Sequence, residues 1–217
     1  MAVAEAVARA LVVTTARKLT TFKLSPGRSG NVSMRFGSGM LITPTGLAYD
    51  DLSVDDIVVV CPAGTYSPTG RKPSSEWQFH LSAYAARPDR HGLVHTHSLN
   101  ATALACAHRA IPAFHYMVAA AGGNDIPLVP YATFGTDALA RHVASGLKHR
   151  DACLLANHGV VAMGPDLNAA FELACEVESL AEQYIKVLAL GAAHILPDEE
   201  MAIVIEKFKT YGQRAHA

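Results

Sequence analysis

The sequence Asn31–Pro44 reads NVSMRFGSGMLITP, and its alternation of apolar and polar residues is interrupted at Gly37 and Gly39. Alternation with a period of two is typical of strands with one buried face, and a glycine-containing interruption is typical of a tight turn. We therefore predict a β-hairpin here. This hairpin would begin the sheet against which the rest of the chain packs.

The segments on both sides of the hairpin alternate between strand and helix patterns. Short apolar or β-branched runs predict extended segments at residues 56–61, 92–97, 126–132 and 153–163. Helical spacing or capping signals predict helices within residues 1–19, 77–86, 98–108, 136–149, 166–190 and 198–209. No repeat or Pro/Ser-rich linker divides these segments. The pattern predicts an α/β fold with a helix-covered sheet, formed by residues 1–217 as a single domain.

Charge and hydropathy exclude several classes of partner. The chain has 217 residues, 18 Lys and Arg, 19 Asp and Glu, and a net charge of -1, so it lacks the basic field that binds nucleic acid or anionic lipid. Mean hydropathy is +0.18, but no uninterrupted apolar stretch approaches the length of a membrane span. We expect no nucleic-acid or membrane partner.

The cysteines and the amino-terminal segment predict a cytoplasmic location. The four cysteines have no C-x-x-C spacing, and a chain of this length does not need disulfides to fold. We expect reduced, mostly buried thiols. The Ala/Val-rich start is interrupted by Glu5 and Arg9 and lacks the pattern of a signal peptide, so it favours an amphipathic helix.

Two histidines stand in the extended segment GLVHTH. His95 and His97 are two residues apart, and on a strand both imidazoles would point to the same side. A catalytic zinc ion needs a third protein ligand, for which we choose His158, in the polar interruption Asn157–Gly159 of an otherwise apolar segment. From spacing alone, a hydrogen-bonded or exposed histidine pair remains an alternative. The other histidines, His80 among them, receive no role.

Hydroxyl and glycine-rich segments are candidates for binding a small anion. They are Ser29-Gly30-Asn31, Thr43-Pro44-Thr45-Gly46 and Ser74-Ser75. Turn and cap chemistry is the alternative use of the same residue types. Glu76 follows the serine pair and is either a metal ligand, a proton shuttle or a helix-terminal charge.

Ordered motifs over most of the chain resemble the class II aldolase/adducin family. They are SGNVSMR, MLITPTG, PSSEWQFH, VHTHS, HYMVAAAGG, PYATFGT, NHGVVAMG and, near the end, KFKTYG. Within the family the chain is most similar to bacterial aldolases that act on fuculose 1-phosphate. The resemblance implies a central, mainly antiparallel sheet flanked by helices, and a homotetramer with active sites between subunits.

The resemblance also implies a role for each matching residue. His95, His97 and His158 would hold one zinc ion per subunit, with other divalent metals as alternatives to zinc. Glu76 would be the catalytic acid/base. Tyr116 and Tyr211 would be catalytic tyrosines directed toward a neighbouring subunit's site, and Phe134 would lie on the aldehyde side. The residues implied in binding the substrate phosphate are Asn31, Thr45, Gly46, Ser74 and Ser75.

The implied reaction is reversible cleavage of a ketose 1-phosphate, expected to be L-fuculose 1-phosphate, to dihydroxyacetone phosphate and L-lactaldehyde. Zinc would act as the Lewis acid, so no lysine Schiff base is required. Arg28 departs from the pattern, since the fuculose enzymes have a small hydroxyl residue there. A sugar-phosphate 4-epimerase or dehydratase on the same metal site, and a non-catalytic adducin-like interaction module, are the alternatives; the epimerase has aspartate in place of Glu76, which favours the aldolase.

Overall fold

The computed structural model describes residues 5–68 and 70–210 and is built around a seven-stranded sheet. The strands are β1 (Asn31–Phe36), β2 (Gly39–Ile42), β3 (Val58–Val60), β4 (Gly92–Thr96), β5 (Ile111–Pro112), β6 (Asp125–Ile126), β7 (Leu128–Val129), β8 (Ala152–Leu155) and β9 (Gly159–Gly164). The helices are α1 (Glu5–Thr21), α2 (Trp77–Ala86), α3 (Leu99–Cys106), α4 (Asp137–Leu147), α5 (Leu167–Ala189) and α6 (Asp198–Phe208).

The sheet has the order β3-β2-β1-β4-β9-β8-β7, and β5 pairs with β6 separately. All neighbours in the large sheet are antiparallel except β7 and β8, which are parallel. The predicted hairpin is present as β1 and β2, with Phe36 paired to Gly39 across a two-residue turn. The predicted α/β class, with a mainly antiparallel sheet flanked by helices, is confirmed.

Alternating side chains of the strands form two hydrophobic cores, one on each face of the sheet. On β4, for example, Val94 belongs to the core that contains α1, α3 and α5, whereas Leu93 belongs to the core that contains α2 and α4. The same alternation separates Val160 from Val161 on β9. His95 is two residues from Leu93, so its side chain points toward the face covered by α2 and α4.

Local differences from the predicted elements have identifiable causes. The segment at residues 56–61 begins with a 3-10 turn, Val54–Asp56, so that only Val58–Val60 is strand. Pro127 has no N–H to donate and separates β6 from β7 within the segment predicted as one extended run. A 3-10 helix at Tyr116–Ala121 has no counterpart in the sequence-based prediction.

The expectation of mostly buried thiols is wrong. All four cysteines are free, but only Cys153 is buried, while Cys175 is half-buried and Cys61 and Cys106 are exposed. Cys61 and Cys106 are exposed because of their positions in the fold: Cys61 follows the edge strand β3, and Cys106 is the last residue of α3. Among the described residues, no helix combines the length and apolar character needed to cross a bilayer.

Candidate active site

Three histidines converge at one end of the central strands. His95 lies on β4, His97 follows that strand, and His158 lies in the turn between β8 and β9. Their candidate ligand nitrogens all lie within 4.8 Å of one another. The structure therefore brings together the three residues predicted to hold the metal, and no other group of this kind occurs in the described part of the chain.

Two backbone features place His158 beside the other two. Asn157 has φ 55°, a left-handed conformation that asparagine tolerates better than most residues, and it turns the chain from β8 into β9. Gly159 then passes close to β4. A Cβ on Gly159 would collide with the Thr96 carbonyl oxygen and would lie 3.0 Å from His97 Cδ2, so the absence of a side chain lets the two ligand segments meet.

Hydrogen bonding defines which nitrogen of His95 faces the cluster. His95 Nδ1 lies 2.9 Å from the Val160 carbonyl oxygen, which can only accept, so Nδ1 carries the proton. Burial lowers the pKa of His95 to about 3, and the neutral ring therefore presents an Nε2 lone pair to the site. Burial also lowers the pKa of His97, whose Nε2 lies 3.1 Å from His95 Nε2.

The donor set fits a divalent cation. His95 Nε2 lies 3.3 Å from Glu76 Oε2, so a nitrogen lone pair faces a carboxylate oxygen. Two acceptors that face each other in a buried site need a positive charge between or beside them. Three imidazoles with an adjacent carboxylate are also the ligand chemistry of open zinc sites.

Glu76 immediately precedes α2, and its two oxygens have different surroundings. Asn31 Nδ2 donates to Oε2 at 2.9 Å. Oε1 is buried and lies 3.2 Å from His158 Nε2, but without a hydrogen bond to it. Burial raises the pKa of Glu76. The imidazoles of His95 and His158 and the hydrogen bond from Asn31 together lower the pKa by more than burial raises it, so the pKa lies below its ordinary range. Glu76 is therefore ionised, with one unpartnered oxygen.

A cleft of about 240 Å³ opens next to Glu76. Backbone hydrogen bonds join its two polar loops: Thr45 N donates to the Lys72 carbonyl at 3.1 Å, and Ser74 N donates to the Thr43 carbonyl at 3.0 Å. The cleft is lined by residues that include all of those predicted to bind phosphate, namely Asn31, Thr45, Gly46, Ser74 and Ser75.

Gly30 brings this cleft close to the histidines. It has φ +79°, and a Cβ there would lie 2.6 Å from the His95 carbonyl oxygen and 2.5 Å from Ser25 Oγ. Arg28, two residues earlier, also lines the cleft and donates from Nη1 to the Gly46 carbonyl at 3.0 Å. Glu76 both lines the cleft and contacts His95 and His158, so it lies between the anion candidates and the metal candidates.

The remaining predicted site residues have different placements. Phe134 lines the cleft and is 63% exposed. Tyr116 is 51% exposed, begins the 3-10 helix and is not among the residues that line the cleft. Tyr211 lies outside the described residues. The Asn31 side chain is bonded to Glu76 and His80, which gives it partners other than a phosphate.

The buried polar residues behind Glu76 were not predicted from the sequence. His80, Ser33 and Tyr84 continue the hydrogen bonds of Asn31 into the core. A signal was present in the sequence: residues 76, 80 and 84 share one helix face, and residues 31 and 33 share one strand face.

Comparison with known proteins identifies the family of this chain. A family model described as the class II aldolase and adducin N-terminal domain matches residues 10–185. That stretch is most of the chain, which therefore belongs to the class II aldolase and adducin family. Within this family the chain is a class II aldolase, a lyase.

Similar proteins carry two kinds of aldolase name. A 5-methylthioribulose-1-phosphate/5-deoxyribulose-1-phosphate aldolase of Rhodospirillum rubrum is 53% identical over 204 residues, 94% of this chain and 92% of the relative. An L-fuculose phosphate aldolase of Escherichia coli K12 is 50% identical over 204 residues, 94% of each chain. A solved L-fuculose 1-phosphate aldolase superposes with a TM-score of 0.90 at 39% identity and covers 93% of this chain and 96% of its own.

Proposed function

We propose that the protein reversibly cleaves a ketose 1-phosphate, with L-fuculose 1-phosphate as the expected substrate, to dihydroxyacetone phosphate and a short aldehyde. The observation that carries the proposal is the placement of Glu76, with its unpartnered Oε1, between the three histidines and the neutral polar cleft. A base beside a metal site and an anion site is the arrangement that deprotonation of a phosphorylated ketone requires.

In this proposal His95, His97 and His158 hold a zinc ion. When bound, the metal supplies Lewis-acid stabilisation of the negative charge that develops on the oxygen atoms of the ketose. Neutral imidazoles are the form that binds metal, and burial favours that form for His95 and His97.

Glu76 Oε1 would move the proton at carbon 3. In the condensation direction it takes a proton from C3 of dihydroxyacetone phosphate, which frees the electron pair that attacks the aldehyde carbon. In the cleavage direction the C4 hydroxyl gives its proton to a base, for which we propose the deprotonated oxygen of a neighbouring subunit's Tyr116, as the C3–C4 bond breaks and the aldehyde forms. Glu76, protonated by solvent, then gives a proton to C3, and Tyr116 returns its proton to solvent. Asn31 stabilises the carboxylate form by donating to Oε2.

The phosphate group would occupy the cleft at the start of α2. Ser74 and Ser75 precede this helix, whose N-terminal N–H groups favour an anion, and Thr45 and Gly46 face them from the paired loop. The Arg28 guanidinium makes one bond to Gly46 and keeps further N–H groups for charge-assisted contacts at the rim.

The family resemblance supports a homotetramer in which a neighbouring subunit completes each site. Tyr116 does not line the cleft of its own chain, and its exposure leaves it free to contact another subunit, where it would protonate the new alkoxide. Tyr211 would also come from a neighbour, and Phe134 would contact the aldehyde. We expect this assembly to be cytoplasmic.

The two kinds of relative narrow the choice of sugar. Fuculose 1-phosphate and 5-deoxyribulose 1-phosphate share the phosphorylated end and carry a terminal methyl group, and they differ in length on the aldehyde side. The two sugars differ by one CHOH unit. A pocket that only accommodates the extra carbon distinguishes them by about 1–3 kcal/mol, whereas a pocket that hydrogen-bonds the hydroxyl distinguishes them more strongly. We therefore place the specificity on the aldehyde side, where Phe134 is exposed at the edge of the cleft.

Product analysis tests the proposal. Metal-loaded protein is incubated separately with L-fuculose 1-phosphate, 5-deoxyribulose 1-phosphate, 5-methylthioribulose 1-phosphate and ribulose 5-phosphate, and products are identified by NMR. We expect dihydroxyacetone phosphate from one or more 1-phosphates, with the highest kcat/KM for L-fuculose 1-phosphate. Epimerised ribulose 5-phosphate without dihydroxyacetone phosphate from any 1-phosphate would overturn the proposed reaction.

A further inference from the structure

A buried polar ladder runs from the cleft into the core behind Glu76. The helix α2 and its N-cap supply Glu76, His80 and Tyr84. Strand β1 supplies Asn31 and Ser33, which alternate with the helix residues along the ladder. Helix residues four apart share a face, and strand residues two apart share a face, so the two rows interdigitate. All five residues are at most 7% exposed.

Consecutive hydrogen bonds connect the ladder. Asn31 Nδ2 donates to Glu76 Oε2 at 2.9 Å, and Asn31 Oδ1 lies 2.5 Å from His80 Nε2. On the far side of the ring, His80 Nδ1 lies 2.7 Å from Ser33 Oγ. Tyr84 Oη lies 2.9 Å from Ser33 Oγ and donates to the Ser33 carbonyl oxygen at 3.0 Å.

The orientation of the Asn31 amide sets the direction of these bonds. Its NH₂ group donates to Glu76 Oε2, so its carbonyl oxygen, which can only accept, faces His80. Burial lowers the pKa of His80 to about 3, and the neutral ring has a single N–H. That proton must be on Nε2 to meet the Asn31 oxygen, and Nδ1 must accept from the Ser33 hydroxyl.

We propose that His80 is a positioning residue for the reaction: its Nε2–H holds the Asn31 carbonyl oxygen, locks the amide with its NH₂ group on Glu76 Oε2, and so leaves Oε1 as the proton-exchanging atom. An Asn31 amide turned by 180° would place its carbonyl oxygen against the carboxylate. The proposal rests on the proposed role of Glu76 as the base and adds a residue that touches neither substrate nor metal.

The two nitrogens of His80 make different contacts, which provides a matched pair of variants. Glutamine places an NH₂ group near the position of Nε2, so His80→Gln retains the donor to Asn31. Asparagine reaches only the position of Nδ1, so His80→Asn retains the contact with Ser33 and loses the donor. Both variants introduce a neutral amide into the same buried position, and a general loss of packing should affect both.

The experiment compares kcat, KM, bound metal and thermal unfolding of the two variants, using the ketose 1-phosphate on which wild-type enzyme releases dihydroxyacetone phosphate. We expect His80→Gln to retain kcat within about threefold, and His80→Asn to lose about tenfold or more in kcat with KM and metal content little changed. Equal kcat values for the two variants would overturn the role of His80. Wild-type turnover tests the proposed function separately.

Two further measurements keep the test decisive if a variant folds poorly. In wild-type, metal-free protein, ¹⁵N NMR should assign the neutral Nε2–H tautomer to His80, and the Nδ1–H tautomer would contradict the proposal. In an Asn31→Ala background the change His80→Asn should cause no further loss of kcat, since the amide it positions is absent. An undiminished further loss would place the effect of His80 elsewhere.

Discussion

Glu76 Oε2 has a hydrogen-bond donor in Asn31, whereas Oε1 has none. If Oε1 accepts the C3 proton, removing the charge should stop proton exchange without removing the metal. We expect Glu76→Gln to retain zinc and to slow exchange of the dihydroxyacetone phosphate C3 proton with deuterated water by about two orders of magnitude or more. Exchange at the wild-type rate would show that another residue is the base.

The three histidines should be individually necessary for metal binding. An open site with only three protein ligands loses its geometry when one is removed. We expect His95→Ala, His97→Ala and His158→Ala each to lose most bound metal, as measured by elemental analysis, and most activity. Circular dichroism should show that each variant retains the fold. Stoichiometric zinc in His158→Ala would rule out His158 as the third ligand.

The buried neutral histidines should make stability depend on pH. Burial holds the pKa values of His80 and His95 at about 3, against an ordinary value of 6.5. Below about pH 6.5 the unfolded chain therefore binds more protons than the folded protein, and the free energy of unfolding decreases as the pH decreases. The Glu76 carboxyl has a lowered pKa in the folded protein, so it contributes to the free energy of unfolding, and this contribution is lost only when the pH falls below the ordinary pKa of 4.5.

Removing one of these histidines should flatten the pH dependence. In urea unfolding of the metal-free protein between pH 5 and 7, we expect His80→Gln to show a shallower decline than wild type. The difference should be up to about 1.4 kcal/mol per pH unit, the value for one proton. Parallel declines in the two proteins would mean that His80 takes up a proton in the native state.

The contact between β4 and the start of β9 joins the ligand segments. A methyl group on Gly159 would collide with the Thr96 carbonyl oxygen and press on His97 Cδ2. We expect Gly159→Ala to lower both the melting temperature and the bound metal, because the segment that carries His158 would shift away from His97. Gly70→Ala, where a Cβ has nothing within 4 Å, is the control and should change neither.

Assembly should be necessary for full activity, because Tyr116 does not line the cleft of its own chain. We expect Glu76→Gln and Tyr116→Phe proteins to be nearly inactive alone and to recover activity as mixed oligomers. If each site combines Glu76 of one subunit with Tyr116 of another, random mixing should restore about a quarter of wild-type activity. Mixed oligomers without recovery, or a monomer by light scattering, would contradict this arrangement.

Local patterns in the chain were sufficient for much of the fold and part of the site. The hairpin at residues 31–44, the helix after Ser74-Ser75 and the shared direction of His95 and His97 follow from periods of two and 3.6 residues, which are properties of the backbone. The polar interruption at Asn157–Gly159 indicated His158, and the hydroxyl and glycine-rich segments indicated the loops around the cleft. The family resemblance then assigned their roles, which spacing alone had left open.

Tertiary packing was needed for relations between distant segments. Strand order places β9 and the His158 turn beside β4, and register places Asn31 opposite His95, so Asn31 reaches Glu76 on the same face. The spacing of residues 76, 80 and 84 places His80 on the helix face of Glu76, but only the packing of α2 across β1 brings Asn31 and Ser33 to its two ring nitrogens. Chain geometry determines which side chains share a face, but the residues that lie opposite them depend on long-range pairing and packing, which no local pattern encodes.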